Sequence, residues 1–385
     1  MTEAADGGIA ILGAGLSGLT LAAHLAQISA RPGPIVLVDD GSRDIRTAAW
    51  ASWSRRPGLL DTAAGEQFDR LRVHAGGRAR TLALGGFRYR TVRGADLAAL
   101  VHDHTEAAGD ISFRTGHVVA VEDPTRPRVV LADGSELRPD WVFDARGVER
   151  TDAAPDAWLD FRGWRVRTEL PHFGTEIPTL FDFRTAQDRA ASFVYVLPTT
   201  AHRALVEHTS FAHPAAPPTG DDAHDEALGE YLSTVLGIDE GSRVIETVES
   251  ARLPLSSSRA PTRRDGRIMT IGSAGGLLKA STGYAFQRIQ RDSAAIARSF
   301  VRHGHPYDVP TPPARFAHYD RALLRAVVDE PSVLERAFAG LFDRASAEPI
   351  LRFLDEDSTP WEEARLFASL PAAPLVRAMA RRQEV

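Results

Sequence analysis

The sequence predicts a mixed α/β protein: a helix-flanked parallel sheet that opens with a βαβ unit, then an antiparallel sheet, then a helical C-terminal region. Three observations predict it. The apolar run Ile9-Ala10-Ile11-Leu12 leads into Gly13, Gly15 and Gly18, and a second apolar run, Ile35-Val36-Leu37-Val38, follows. From about Asp160 to Glu249 the chain changes to short aromatic and β-branched runs. Beyond Pro313 the apolar residues fall at helical spacing, with pairs such as Leu323/Leu324 and Leu351/Phe353/Leu354.

The first element is the most informative. Gly13-Ala14-Gly15-Leu16-Ser17-Gly18 reads as strand, tight turn and helix entry. Gly13 makes the turn, Gly15 lets backbone approach a pyrophosphate, and Gly18 lets the helix pack on its strand. The helix N-terminus then offers unpaired N–H groups and the positive end of its dipole. Leu16, Leu19, Ala22, Ala23 and Ala26 supply the apolar helix face, and the second strand ends at Asp39, whose carboxylate suits ribose hydroxyls. Together these residues predict a dinucleotide site.

The later elements follow in order. Arg93 precedes a helix predicted over Ala95 to Thr105, and Val118 to Val121 reads as a strand. Val129-Val130-Leu131, the Asp133-Gly134 turn and Trp141-Val142-Phe143 read as a hairpin. Thr179 to Phe183, Ser192 to Leu197 and Ala204 to Phe211 read as strands of one antiparallel sheet, and the proline-rich stretch His213 to Gly220 as a surface loop. Arg267 to Ile271 returns to a buried-strand pattern, followed by a second glycine cluster at Gly272, Gly275 and Gly276 and then by Gly283. This downstream strand–glycine–helix segment, returning to the first motif, resembles the one that runs under the flavin in hydroxylase-type flavoproteins, and Arg93 falls where they carry an arginine near the phosphates; that resemblance implies that the dinucleotide is FAD.

Composition narrows the function classes. The 385 residues include no cysteine, which excludes disulfides, iron–sulfur clusters and thiol nucleophiles and accords with a reducing cytoplasm. A net charge of −6 argues against a general nucleic-acid surface. Neither a signal peptide nor an apolar stretch of spanning length is evident, so the expected location is cytoplasmic, at most peripheral to a membrane. Lys279 is the only lysine. His102-Asp103-His104 places two histidines two residues apart on a predicted helix, where they share no face, so no metal site is expected there.

Five stretches make the chain resemble the soluble, FAD-containing lycopene cyclases. Val142-Phe143-Asp144-Ala145-Arg146-Gly147 is similar to that family's Asp-Ala-Arg-Gly segment, where flavin hydroxylases are usually built around Asp-Gly. Phe181-Asp182-Phe183-Arg184 resembles its Met-Asp-[Phe/Trp]-Arg segment. Tyr195-Val196-Leu197-Pro198 with Leu205-Val206-Glu207-His208-Thr209-Ser210-Phe211 resembles the cyclase stretch that carries a glutamate before Thr-Ser. Gly272-Ser273-Ala274-Gly275-Gly276 through Ser281-Thr282-Gly283-Tyr284 resembles the glycine-rich segment ending in [Ser/Thr]-Thr-Gly-Tyr, with Ser273 where hydroxylases usually have Asp. The C-terminal Leu351-Arg352-Phe353-Leu354-Asp355 has the same look. Two positions depart: His208 replaces the family's second acidic residue, and Lys279-Ala280 replaces its His-Pro, both expected to flank the reaction chamber.

The resemblance implies a Rossmann-type FAD-binding domain from residues 1–155 and 250–305, an antiparallel-sheet substrate domain at 156–249, and a helical region at 306–385. It implies a non-redox isomerisation in which the ψ-ends of a linear carotenoid close into β-ionone rings, with reduced FAD and with NAD(P)H as the reductant. The partner would be a hydrophobic polyene, with peripheral membrane contact. The proton-donor candidate is Glu207, because a carboxyl in a dry apolar site stays protonated at neutral pH; Asp182 is the second carboxylate of interest. The residues expected around the flavin are Gly13, Gly15, Gly18, Asp39, Arg93, Asp144, Gly272, Gly275, Gly276, Lys279, Thr282 and Gly283, with Lys279 facing an anionic flavin. A cyclase of another prenyl or terpenoid chain and an FAD-dependent monooxygenase are the alternatives.

Overall fold

A computed structural model of the chain describes residues 7–147, 155–188, 190–257, 263–344 and 346–380. Residues 148–154, 258–262 and the chain ends 1–6 and 381–385 lie outside the described residues.

The βαβ unit forms as the sequence predicts. The strand Ile9–Leu12 is buried along its whole length and lies between two parallel neighbours, Ile35–Asp39 and Trp141–Asp144. Ile111–Thr115 extends the sheet beyond Asp39, and Ile268–Thr270 pairs parallel with Trp141–Asp144 on the other side. The helices Leu16–Ala26 and Phe286–His303 pack together over this sheet; Leu19, Leu21, Ile296 and Phe300 join its core. The chain that returns after residue 263 thus lands against the first strands.

One expected hairpin is corrected. Arg128–Leu131 does turn back through Gly134, but its partner is the two-residue strand Glu136–Leu137. Trp141–Asp144 instead enters the parallel sheet. The physical reason is burial on both faces: Val142, Phe143 and Asp144 are all buried, a continuous run that an outward-alternating hairpin strand cannot use.

The large sheet has seven strands in the order Arg243–Leu255, Ala157–Thr168, Arg203–Ala212, Ala191–Thr200, Thr179–Asp182, Arg70–Ala75 and Arg78–Ala83. It is wider than expected and not purely antiparallel, since Thr179–Asp182 pairs parallel with Arg70–Ala75. Its two faces carry different cores. The helix Asp221–Thr234 covers one face, where Leu228, Tyr231 and Leu232 pack on Trp164, Val194 and Val206. The other face is aromatic and meets the C-terminal helices. There Phe181 sits edge-on to Phe193 at 5.3 Å and to Phe338, from helix Ser332–Leu341, at 4.6 Å. Edge-to-face pairs of this kind contribute about 0.5–1.5 kcal/mol each beyond area burial.

Among the described residues, no helix is long and apolar enough to cross a membrane.

Candidate active site

The two glycine clusters meet at the start of helix Leu16–Ala26. Gly13 has φ of 99°, which a β-carbon would strain, and a side chain on Gly18 would run into the Gly13 carbonyl. Around Gly15 there is open space, and no side chain caps the helix N-terminus it begins. Asp39 bends back over this turn: its carboxylate accepts from the Ala14 N–H at 2.6 Å and the Gly41 N–H at 2.8 Å. From the downstream cluster, Gly272 lies so close to Ser17 that a β-carbon there would overlap its hydroxyl, while Gly275 and Gly276 close tight turns onto Gly272 and Ser273. An uncapped helix N-terminus, open backbone at Gly15 and a carboxylate at the second strand end fit a dinucleotide pyrophosphate and ribose.

Two other candidates of that group are engaged with neighbours. Arg93 stands at the entry of helix Gly94–Ala108, its exposed guanidinium donating to Asp96 at 2.7 Å. Asp144, at the end of its strand, accepts from the Arg146 backbone N–H at 3.1 Å and from its Nε and Nη2 at 2.9 and 2.8 Å. Arg146 reaches on to the Val118 carbonyl at 2.9 Å, so the Asp-Ala-Arg-Gly segment ties the parallel sheet to the small sheet beside it.

The segment Lys279–Tyr284 is a compact loop. The Lys279 N–H donates to the Tyr284 carbonyl at 3.0 Å, and the Thr282 and Gly283 N–H groups donate back to the Lys279 carbonyl at 3.1 and 2.8 Å. Gly283 has φ of 72°, and a β-carbon there would stand 2.5 Å from Leu159 of the large sheet. The loop therefore presses on the sheet and presents Tyr284 to it. The Lys279 side chain is buried and points away from that role: its Nζ donates to both Asp320 oxygens at 2.8 Å and to Glu356 at 3.0 Å. Its charge is matched by these carboxylates of the C-terminal region.

Glu207 lies on the aromatic face, opposite Tyr195 on one neighbouring strand and Gly163 on the other. Three tyrosine hydroxyls gather beside it: Tyr284 lies 3.4 Å from Tyr195 and 3.5 Å from Tyr89, and Trp53 packs on Tyr284 with ring centroids 4.5 Å apart. Glu207 has intermediate accessibility, but protein surrounds it closely enough that burial pushes its carboxyl up to about 8, with the charge of Glu249 adding to the rise. Thr209 donates to it at 3.2 Å, a weaker opposing effect. Burial also raises the three tyrosines, Tyr284 to about 12, so all three hydroxyls stay neutral donors at physiological pH. The arrangement can hold a neutral carboxylic acid, ringed by hydroxyls, against a wall of aromatic faces.

Strand alternation removes two expected neighbours from this site. Asp182 pairs in register with Val194, and Val194 with His208, which puts all three on the opposite face. There Asp182 is fully buried, accepting from Arg184 at 2.9 and 2.6 Å and from the Tyr231 hydroxyl at 2.7 Å, and those partners hold its carboxyl below the ordinary carboxylate range despite burial. It is a charged clamp for helix Asp221–Thr234. His208 packs in the same core, its Nδ1 2.8 Å from His224 Nδ1, and burial drives it down to about 3. One departure from the cyclase pattern therefore lies away from Glu207.

Glu249 was not singled out by the sequence, nor were Tyr89, Tyr195 and Tyr284 as a set. Glu249 sits on the edge strand, across Gly163 from Glu207, and burial pushes its carboxyl up to about 7 against the lowering effect of Arg165. The signal was the register of three strands, which no single segment carries.

The family profile described as "Lycopene cyclase protein" matches residues 8–380. A lycopene beta-cyclase of Pseudescherichia vulneris is 30% identical over 176 residues, 44% of this chain and 44% of that protein. One from Paracoccus sp. is 29% identical over 151 residues, 39% of this chain and 34% of its own length. These alignments thus span less than half of either relative. Among solved structures, a flavoprotein/dehydrogenase from Cytophaga hutchinsonii has the same fold, with a TM-score of 0.64 at 12% identity over 97% of this chain and 99% of that one.

Proposed function

Because the chain belongs to the lycopene cyclase family, we propose that it closes the ψ-ends of a linear carotenoid such as lycopene into β-ionone rings, with Glu207 as the proton donor. The observation that carries this reading is Glu207 itself: a carboxyl held neutral near pH 7 on an aromatic sheet face, beside Tyr89, Tyr195 and Tyr284. Protonation of the terminal double bond leaves a tertiary cation. The next double bond of the polyene attacks it, the six-membered ring closes, and loss of a ring proton sets the new double bond. No electrons are gained or lost.

Each step asks something of this chain. Protonating an alkene needs an acid that has not already ionised, which burial of Glu207 supplies. The cation needs negative potential without a competing nucleophile; an aromatic face supplies roughly 0.5–2 kcal/mol per well-placed ring, and Phe181, Phe193, Tyr195 and Phe338 are clustered on the sheet face that carries Glu207. Gly13, Gly15, Gly18, Asp39 and the Gly272–Gly283 segment are the residues that would hold FAD. Reduced FAD, when bound, supplies negative charge beside the developing cation, and NAD(P)H would keep it reduced. Peripheral membrane contact is part of the same reading, since a polyene substrate partitions into lipid.

The test is incubation of purified protein with lycopene, FAD and NADPH without oxygen, followed by chromatography of the products. Cyclised carotenoid formed without proportional NADPH consumption supports the reading; NADPH and oxygen uptake coupled to product would replace it with a monooxygenase. Cyclisation of a different prenyl chain, with lycopene untouched, would keep the chemistry and change the substrate.

A further inference from the structure

We infer that Glu249 reloads Glu207: the two carboxyls form a proton relay across Gly163, through which solvent protons reach the proton donor after each ring closure. This rests on the reading of Glu207 above.

The geometry starts from the register of three strands. Glu207 on Arg203–Ala212 and Glu249 on Arg243–Leu255 are both paired with Gly163 on the strand between them. Residues in register share a sheet face, so both carboxyl side chains rise on the same side. Any larger residue at 163 would stand between them. A β-carbon there would lie 3.3 Å from Glu249 Cγ, 3.4 Å from Glu207 Cβ and 3.0 Å from Leu205 Cδ1. The glycine therefore leaves the two side chains free to approach over the middle strand. Proximity is also felt electrostatically, since the charge of Glu249 raises the carboxyl of Glu207.

The two positions differ in access to water. Glu207 lies on an inner strand, whereas Glu249 lies on the edge strand, where Thr247, Val248, Ser250 and Ala251 around it are exposed. Burial holds Glu249 near 7 and Glu207 near 8, so Glu249 exchanges protons with water near neutral pH and Glu207 takes the proton up. The groups facing the pair are Arg165, which favours the charged form of Glu249, Thr209, and the hydroxyls of Tyr89, Tyr195 and Tyr284, which stay neutral over the working range.

The proton balance closes. The Glu207 O–H bond breaks as a C–H bond forms at the alkene terminus, leaving Glu207 as carboxylate. A ring C–H bond breaks as the new double bond forms, and its proton goes to water. Water protonates the Glu249 carboxylate, and Glu249 passes that proton to Glu207. Glu249 touches no substrate in this scheme; it acts through Glu207.

The test separates reloading from delivery. With enzyme in excess over lycopene and reduced FAD present, Glu249→Gln should form the first ring within about twofold of the normal rate, because Glu207 begins protonated. Under steady turnover kcat should fall at least about tenfold with KM little changed, the low end of what a proton-transfer group contributes. Glu249→Asp or Glu249→His should restore part of the turnover, and formate or acetate should accelerate Glu249→Ala. Independently of activity, 13C-carboxyl NMR of glutamate-labelled protein should show the Glu207 signal titrating at lower pH in Glu249→Gln, since a like charge has gone. Normal steady turnover in Glu249→Gln with an unmoved Glu207 titration would overturn the relay. Equal loss of the first and later turnovers would also overturn it. The reading of the chain as a cyclase fails separately, when the unaltered protein forms no ring at all.

Discussion

Replacing Glu207 by glutamine should abolish ring closure and, at neutral pH, make the fold more stable. Burial lifts this carboxyl from 4.5 to about 8. In the unfolded chain the group ionises near 4.5, so between those limits the unfolded state has released a proton that the folded state still holds. Stability then falls with rising pH across that window and levels off above the folded value. At pH 7 the gap covers about 2.5 pH units, which at roughly 1.36 kcal/mol per unit is about 3 kcal/mol against the fold. Glutamine removes that titration while keeping shape and polarity. Glu207→Gln should therefore match the parent near pH 4.5 and exceed it by about 3 kcal/mol at pH 7, about 3–6 °C in Tm for a chain of this length. The assay is thermal unfolding by circular dichroism at steps from pH 4.5 to 9, with bound flavin measured alongside. A stability difference that does not grow with pH, or a variant less stable at pH 8, would show that Glu207 is not a neutral buried acid.

Other outcomes follow from the same structure. Gly18→Val should abolish flavin uptake and lower soluble yield, because its side chain meets the Gly13 carbonyl; absorbance of the purified protein reads it out. Tyr231→Phe should cost roughly 1.5–3 kcal/mol by loss of a hydrogen bond to the charged Asp182, measured by urea unfolding, while the pH profile of ring closure stays unchanged because that pair lies on the other sheet face. Lys279→Met should destabilise by roughly 3–5 kcal/mol by leaving Asp320 without its buried cation, while Glu356 keeps Arg288, and Lys279→Met/Asp320→Leu should recover part of it.

How far the sequence could be read depends on the range of each interaction. The Gly13–Gly18 turn and Asp39 were legible because strand, turn and helix entry lie within one short segment, and the structure places Asp39 on that turn. Glu207 was legible as a carboxylate within an apolar run, and the structure surrounds it closely enough to raise its carboxyl. The role of Trp141–Asp144 was misread because an Asp-Gly turn is a local signal, whereas pairing with Ile9–Leu12 is a contact across more than a hundred residues. Glu249, Gly163 and Tyr89 could not be assembled at all: they belong to separate strands, and only register brings them to one place. Asp182 was singled out as a second carboxylate because its stretch resembles the cyclases; its register with Val194, which turns it to the far sheet face from Glu207, is not a local signal.

That division between the two sheet faces is the basis on which one small site can hold unstable charge states. On the helix-covered face Asp182 is matched with Arg184 and Tyr231, and His208 with His224. These groups sit in fixed protonation states, Asp182 charged and His208 neutral. On the aromatic face Glu207 accepts from the Thr209 hydroxyl, the charge of Arg165 only partly offsets burial at Glu249, and both carboxyls rise toward neutral pH. Pairing Glu207 with an arginine, as Asp182 is paired, would stabilise the fold and remove the acid. The destabilisation of about 3 kcal/mol at pH 7 is thus the energetic signature of keeping a proton where ring closure needs one. Thr209 is buried and its hydroxyl opposes the rise of the Glu207 carboxyl, so Thr209→Val, which keeps the shape and removes that bond, should lower stability above pH 7 and extend ring closure to higher pH together. If stability falls and the pH profile of ring closure does not move, the link between the two is broken.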